Sequence, residues 1–199
     1  STELIRKTVG EDIIIISIDP LEVPGFGWKD TNTNTMYYTG NNFIDFKDIK
    51  LDKYNPDDIL AFFDDHQNMV SRIIQCREKK IKHLLFNDNY PKNGGSHFTY
   101  EHLLNDDFRN INADAKEIIN INKDEDFFKN YNKNKNEILS IVDVYHIFPN
   151  IYNSKINTRE GLFDCEYIYE NMNDGKDKYN VFKEHARYYQ WNTYMKIII

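Results

Sequence analysis

Four short polar clusters stand in order along this sequence, each directly behind an apolar run: Asp19-Pro20, Gly40-Asn41-Asn42, Asp64-Asp65-His66 and Asp88-Asn89. Carboxylate and amide oxygens are hard donors that suit octahedral magnesium, so Asp65, Asp88 and Asn89 form a candidate metal set with positions left for water or a substrate oxygen. Asp19 has the two oxygens needed to accept both hydroxyls of a ribose. Histidine as a residue type suits proton transfer at neutral pH, so His66 is the first candidate for a general base, with Asp64 and His97 as alternatives. A lone acid after a strand ordinarily caps a turn or a helix. Four polar clusters in succession argue for a site, because ligands of open α/β sheets bind beyond the carboxyl ends of the strands.

The elements that must carry these groups can be read from the hydrophobic pattern. Residues 1–8 read as a short helix stopped by Gly10. Ile13–Ile18, Thr35–Thr39, Ile59–Phe63 and His83–Phe86 read as strands, the first and third as continuous apolar runs of the kind buried on both faces of a parallel sheet. Phe43–Ile49 suggests one helical turn. Gln67–Lys79 carries Met69, Val70, Ile73, Ile74 and Cys76 on one side and reads as the crossover helix of a strand–helix–strand unit. A short helix is expected over Tyr100–Leu104, and another in the second half of Phe127–Tyr145. Residues 106–126 are polar and rich in Asn, Phe148–Arg159 looks irregular, and the apolar end of Tyr188–Ile199 suits a closing strand. The alternation predicts an α/β fold with a mostly parallel sheet and helices on both faces.

A chain of 199 residues has room for one such domain, since domains cluster near roughly 100–200 residues. A net charge of −7 without a basic stripe argues against a nucleic-acid partner. No apolar run approaches the roughly 20 residues that cross a bilayer, and no secretory signal is seen, so a soluble, cytoplasmic protein without membrane insertion is expected. Cys76 and Cys165 read as free thiols. Trp28, beside Gly25 and Gly27, is a candidate wall for a cofactor or acceptor, whereas Trp191 and Tyr194 read as core. His83, His102, His146 and His185 lack partners at ligand spacing and read as packing or surface residues.

In the order and spacing of these clusters the chain resembles the class I methyltransferases, with a Rossmann-like sheet, and in particular the magnesium-dependent catechol O-methyltransferase type. The resemblance covers Ser1 to about Tyr90 and implies S-adenosylmethionine and Mg2+ as cofactors. It implies Ser1 at the methionine carboxylate, Asp19 at the ribose, Asn42 and His66 at the adenosyl end, and Asp65, Asp88 and Asn89 at the metal. The first strand and the glycine-rich loop of that family are expected upstream of Ser1. In the catechol type a Lys three positions after the first metal Asp is the base, and here that position is Asn68. This departure, with Asp-Asn-Tyr at 88–90 and the acidic cluster at 64–65, is similar to macrocin-type sugar O-methyltransferases and to methyltransferase domains of giant-virus glycan-building proteins. The acceptor implied is a sugar hydroxyl, such as a rhamnose-like unit of a glycan. Adjoining glycosyltransferase domains or a second copy are the protein partners this suggests. Two other readings stay open: a methyltransferase-like binding module without activity, and a metal-dependent hydrolase using the same acids to activate water.

Overall fold

The computed structural model describes residues 2–21, 30–90, 97–106, 130–148 and 191–199. The chain divides into two compact units, Ser1–Asp52 and Lys53–Ile199, and its content is mixed α/β.

The first unit opens with helix α1, Thr2–Val9, braced by a Lys7–Glu3 ion pair one turn apart at 2.8 Å. Gly10 ends it at φ +95, a conformation that L side chains rarely adopt, and its N–H bonds Arg6 O at 2.9 Å. Strand β1, Ile15–Asp19, then pairs in parallel with β2, Thr35–Thr39, in the register Ile15 opposite Thr35 through Asp19 opposite Thr39. The strand begins two residues later than expected. Ile13 and Ile14 precede it about half exposed, because the backbone there turns to meet Arg6, whose guanidinium bonds the carbonyls of Gly10, Glu11 and Ile13.

Sequence reading missed the contacts that hold this unit together. Arg6 is 4% exposed and pairs at 2.9 Å with Asp30, itself 7% exposed. Thr35 Oγ1 accepts from Arg6 and donates to Asp30, while Tyr37 Oη donates to the Asp30 carbonyl. A charge removed from water must be compensated on every side, and here α1, the approach to β2 and β2 itself all contribute. Hydrogen bonds and the adjacent guanidinium, led by Thr35, hold the Asp30 carboxyl below its ordinary range.

The second unit is a four-stranded sheet in the order β3-β4-β6-β5, made of β3 (Leu60–Phe63), β4 (His83–Phe86), β5 (Val142–Ile147) and β6 (Thr193–Ile197). Strands β3 and β4 are parallel, and β6 runs antiparallel to both β4 and β5. Strands β3, β4 and β5 therefore share one direction and only the closing strand is reversed. Helix α2, Met69–Glu78, makes the crossover between the parallel pair. It buries Met69, Val70, Arg72, Ile73 and Cys76, with Ile74 turned outward at 37% exposure. Helices α3 (Tyr100–Asn105) and α4 (Tyr131–Ile141) add Leu103, Ile138 and Ile141 to the same core, where Leu84 and Met195 lie fully buried on facing strands.

Two expectations change here. The helix expected to reach Tyr145 stops at Ile141, and the chain passes straight into β5, because Val142, Val144 and Ile147 are β-branched and pair with β6. Strand β3 is not buried on both faces: Ala61 and Phe63 point into the core, while Leu60 and Phe62 are 57% and 48% exposed. Most of 106–126 and of 148–159, as well as Ser1, Trp28, Cys165 and His185, lies outside the described residues. Among the described residues no helix is long and apolar enough to cross a membrane.

Candidate functional site

The parallel β3–α2–β4 unit brings its two strand ends side by side, since Phe63 and Phe86 are register partners with rings stacked 5.1 Å apart. The residues just past the two strands therefore converge. Ligand atoms of Asp64, His66 and Asp88 all lie within 4.8 Å of one another. His66 Nε2 is 3.1 Å from Asp88 Oδ2, and Asn87 Nδ2 donates to Asp64 Oδ1 at 3.0 Å. Both His66 and Asp88 are held in the left-handed region, at φ 52 and 59. Such a conformation is uncommon outside glycine, although His and Asp adopt it more readily than most residues. Strain of this kind gathers at functional sites.

The electrostatics are compatible with a cation. Burial pushes the Asp88 carboxyl above its ordinary value, His66 opposes that shift, and the nearby Asp64 carboxylate adds to it. A cation between the two carboxylates would relieve both the burial and the repulsion. Asn87 Oδ1 is buried without a hydrogen-bond partner among the described residues, the kind of orphaned acceptor that a water or ion commonly satisfies. Two carboxylates suit magnesium or manganese, and an imidazole added to them widens the choice toward manganese, iron and zinc. The donor set thus fits a divalent cation.

Of the expected metal residues, Asp88 is in this cluster and the other two have different partners. Asp65 Oδ2 takes both Nε and an η nitrogen of Arg72, at 2.8 and 2.7 Å, which neutralises a guanidinium side chain only 8% exposed. Asn89 is 2% exposed, its amide donating to Tyr145 Oη at 2.8 Å. Asp64, read from sequence as a base, takes the position beside Asp88 instead. The alternation of side chains behind a strand distinguishes 64 from 65, but sequence alone does not say where β3 stops, and the Arg72 that claims Asp65 lies seven residues on, inside α2. Asn87, in the same turn, has no role in the sequence reading, because an amide between a Phe and an Asp reads as an ordinary turn residue.

Asn68, in the position of the catechol-type base, has a structural task. It is the N-cap of α2, its Oδ1 accepting from the N–H groups of Val70 and Ser71 at 2.9 and 3.2 Å. Asn68→Ala is expected to lower the stability of the second unit by about 1 kcal/mol, with Asn68→Asp close to wild type; urea titration of the three proteins checks this.

His97 lies edge-on to His66 and to Tyr90, with ring centroids 5.9 and 5.2 Å away. Burial, with smaller effects from His66 and His102, lowers its pKa to about 3. It is therefore a neutral imidazole at pH 7 and too weak a base to take a sugar proton. Since the folded value lies below the ordinary 6.5, the unfolded chain protonates first. The stabilisation is complete above about pH 6.5 and is lost as pH falls toward 3, by about 1.4 kcal/mol per unit. Urea titrations at a series of pH values should show this slope in the wild type and a flatter one in His97→Gln.

In the first unit, Asp19 ends β1 half-buried, with Oδ1 accepting from Leu21 N–H at 2.8 Å and Oδ2 without a partner among the described residues. Asn42 is exposed in the 3-10 turn Gly40–Asn42 that ends β2. Tyr194, expected in the core, is only partly buried and bonds His83 Nδ1 through its hydroxyl at 2.7 Å. No protein-family model, no curated protein and no solved structure matches this chain.

Proposed function

We propose that the chain is an S-adenosylmethionine-dependent O-methyltransferase that uses a divalent cation, magnesium in the family it resembles, and methylates a sugar hydroxyl of a glycan. The observation that carries this reading is the gathering of Asp64, His66 and Asp88 at the carboxyl ends of two parallel strands joined by one helix. Three co-directional strands in the larger sheet agree with the mostly parallel sheet that the resemblance implies. In the first unit, Asp19 Oδ2, without a partner among the described residues and at a parallel strand end, suits a ribose hydroxyl.

Asp64 and Asp88 supply the charge that holds the cation. A bound divalent ion lowers the pKa of a coordinated hydroxyl. With the two carboxylates holding the cation, His66 would stay outside the coordination and take the hydroxyl proton at the ring nitrogen turned away from Asp88, whose carboxylate, 3.1 Å from Nε2, orients the half-exposed ring and stabilises the imidazolium. Asn68 cannot act as that base, an amide having no basic lone pair at neutral pH. This favours a hydroxyl activated by metal and imidazole over a catechol activated by lysine.

The test is incubation with labelled S-adenosylmethionine, magnesium and either a rhamnosylated acceptor or a simple catechol. Label on the sugar is expected, with little on the catechol; efficient methylation of the catechol alone would overturn the acceptor assignment. Asp19→Ala should raise the cofactor dissociation constant at least about tenfold by calorimetry, since a charge-assisted hydrogen bond contributes about 1.5–3 kcal/mol. An unchanged constant would leave Asp19 a turn residue. A metal-dependent hydrolase is the second reading, favoured by one fact: all three clustered groups belong to the second unit and need nothing from Asp19. Cation binding without any cofactor binding would select it.

A further inference from the structure

Asn89 sits next to Asp88, yet its own side chain is spent on a closed ring of hydrogen bonds. Its amide nitrogen donates to Tyr145 Oη at 2.8 Å, the Tyr145 hydroxyl donates to Glu101 Oε1, and the Glu101 N–H returns to Asn89 Oδ1 at 3.4 Å. Because the hydroxyl gives its one proton to a carboxylate, it must accept from Asn89, which fixes the amide nitrogen toward Tyr145. The Asn89 backbone N–H is also engaged, by Trp191 O at 2.9 Å. The end of β4 is thereby tied to α3, to β5 and to the approach to β6, all within the second unit.

We propose that Tyr145 and Glu101 are positioning residues for the cation site, acting through Asn89 on Asp88; this rests on the cation reading of the Asp64–His66–Asp88 cluster. Asp88 keeps a left-handed backbone, uncommon outside glycine, and the anchoring of the next residue helps to hold it there. The ring does this from the next residue, where rotation of the 88–89 peptide would break two hydrogen bonds at a side chain only 2% exposed and the backbone bond to Trp191. The hydroxyl of Tyr145 is not needed for packing, since its ring already lies against Tyr100 with centroids 4.9 Å apart. Its oxygen serves Asn89 and Glu101.

The experiment uses the whole chain and Mn2+ alone as probe, with free ion followed by electron paramagnetic resonance and folding by circular dichroism. Wild type should bind, and Tyr145→Phe and Glu101→Ala should bind about 10–100-fold more weakly, the usual effect of losing an outer partner of a metal ligand. Glu101→Gln should restore binding, because its amide oxygen still accepts from Tyr145. Folded Tyr145→Phe and Glu101→Ala proteins with wild-type affinity would overturn the positioning role alone. Absence of Mn2+ binding by the wild type would instead overturn the cation reading beneath it. Should Tyr145→Phe fail to fold, Glu101→Ala decides, its side chain lying at the partly exposed start of α3.

Discussion

Asp88→Ala is expected to abolish divalent-cation binding and, with it, methyl transfer. Asp88 is the group that both other members of the cluster approach: His66 pairs with it and Asp64 repels it. Its removal takes away a ligand, the orienting partner of His66 and the charge that makes the site attractive to a cation. The affinity should fall by more than the roughly hundredfold that marks the loss of an outer partner. Asp64→Ala should have a similar effect. Asp65→Ala should act mainly on stability, by about 1–2 kcal/mol, because it strips the partner from a nearly buried guanidinium while its own carboxylate is partly solvated. Calorimetric titration with Mn2+ orders the three variants; Asp65→Ala weakening the cation more than Asp64→Ala would return the site to the assignment made from sequence.

Leu84→Ala carries the largest expected effect on the fold. Leu84 lies on β4, opposite Met195 of β6, and both are fully buried. A leucine truncated in such a place loses its transfer free energy and leaves a cavity, together about 2–5 kcal/mol. Against a typical total of about 5–15 kcal/mol, that is a large share. The urea midpoint should drop by roughly 1–3 M. Leu60→Ala, on the neighbouring strand but 57% exposed, should move it little. Equal effects from the two substitutions would mean that β3 faces the core differently.

The strands and helices around the cluster were legible because their signal is local. Thr35–Thr39 and His83–Phe86 coincide with the strands, and α2 loses only its ends, one of them to the Asn68 cap. Where the structure differs from the reading, partners distant in sequence decide. Ile138 and Ile141 continue a helical pattern that the pairing of Val142–Ile147 with β6 interrupts. Asp64 and Asp65 are chemically identical, and their partners, Asn87 for the one and Arg72 for the other, tell them apart. Asn89 has the composition of a ligand, but Tyr145, 56 residues onward, takes its amide. The Arg6–Asp30 pair spans 24 residues and had no periodic signature.

The left-handed backbones of His66 and Asp88 carry a consequence for how the protein could change over generations. Glycine adopts that conformation freely, so at these two positions a substitution that eases the backbone also erases the chemistry. Selection for heat tolerance alone would drift toward glycine there, while selection for turnover would hold the strained residues in place. On the proposed reading, the cluster is where this chain would trade durability for activity.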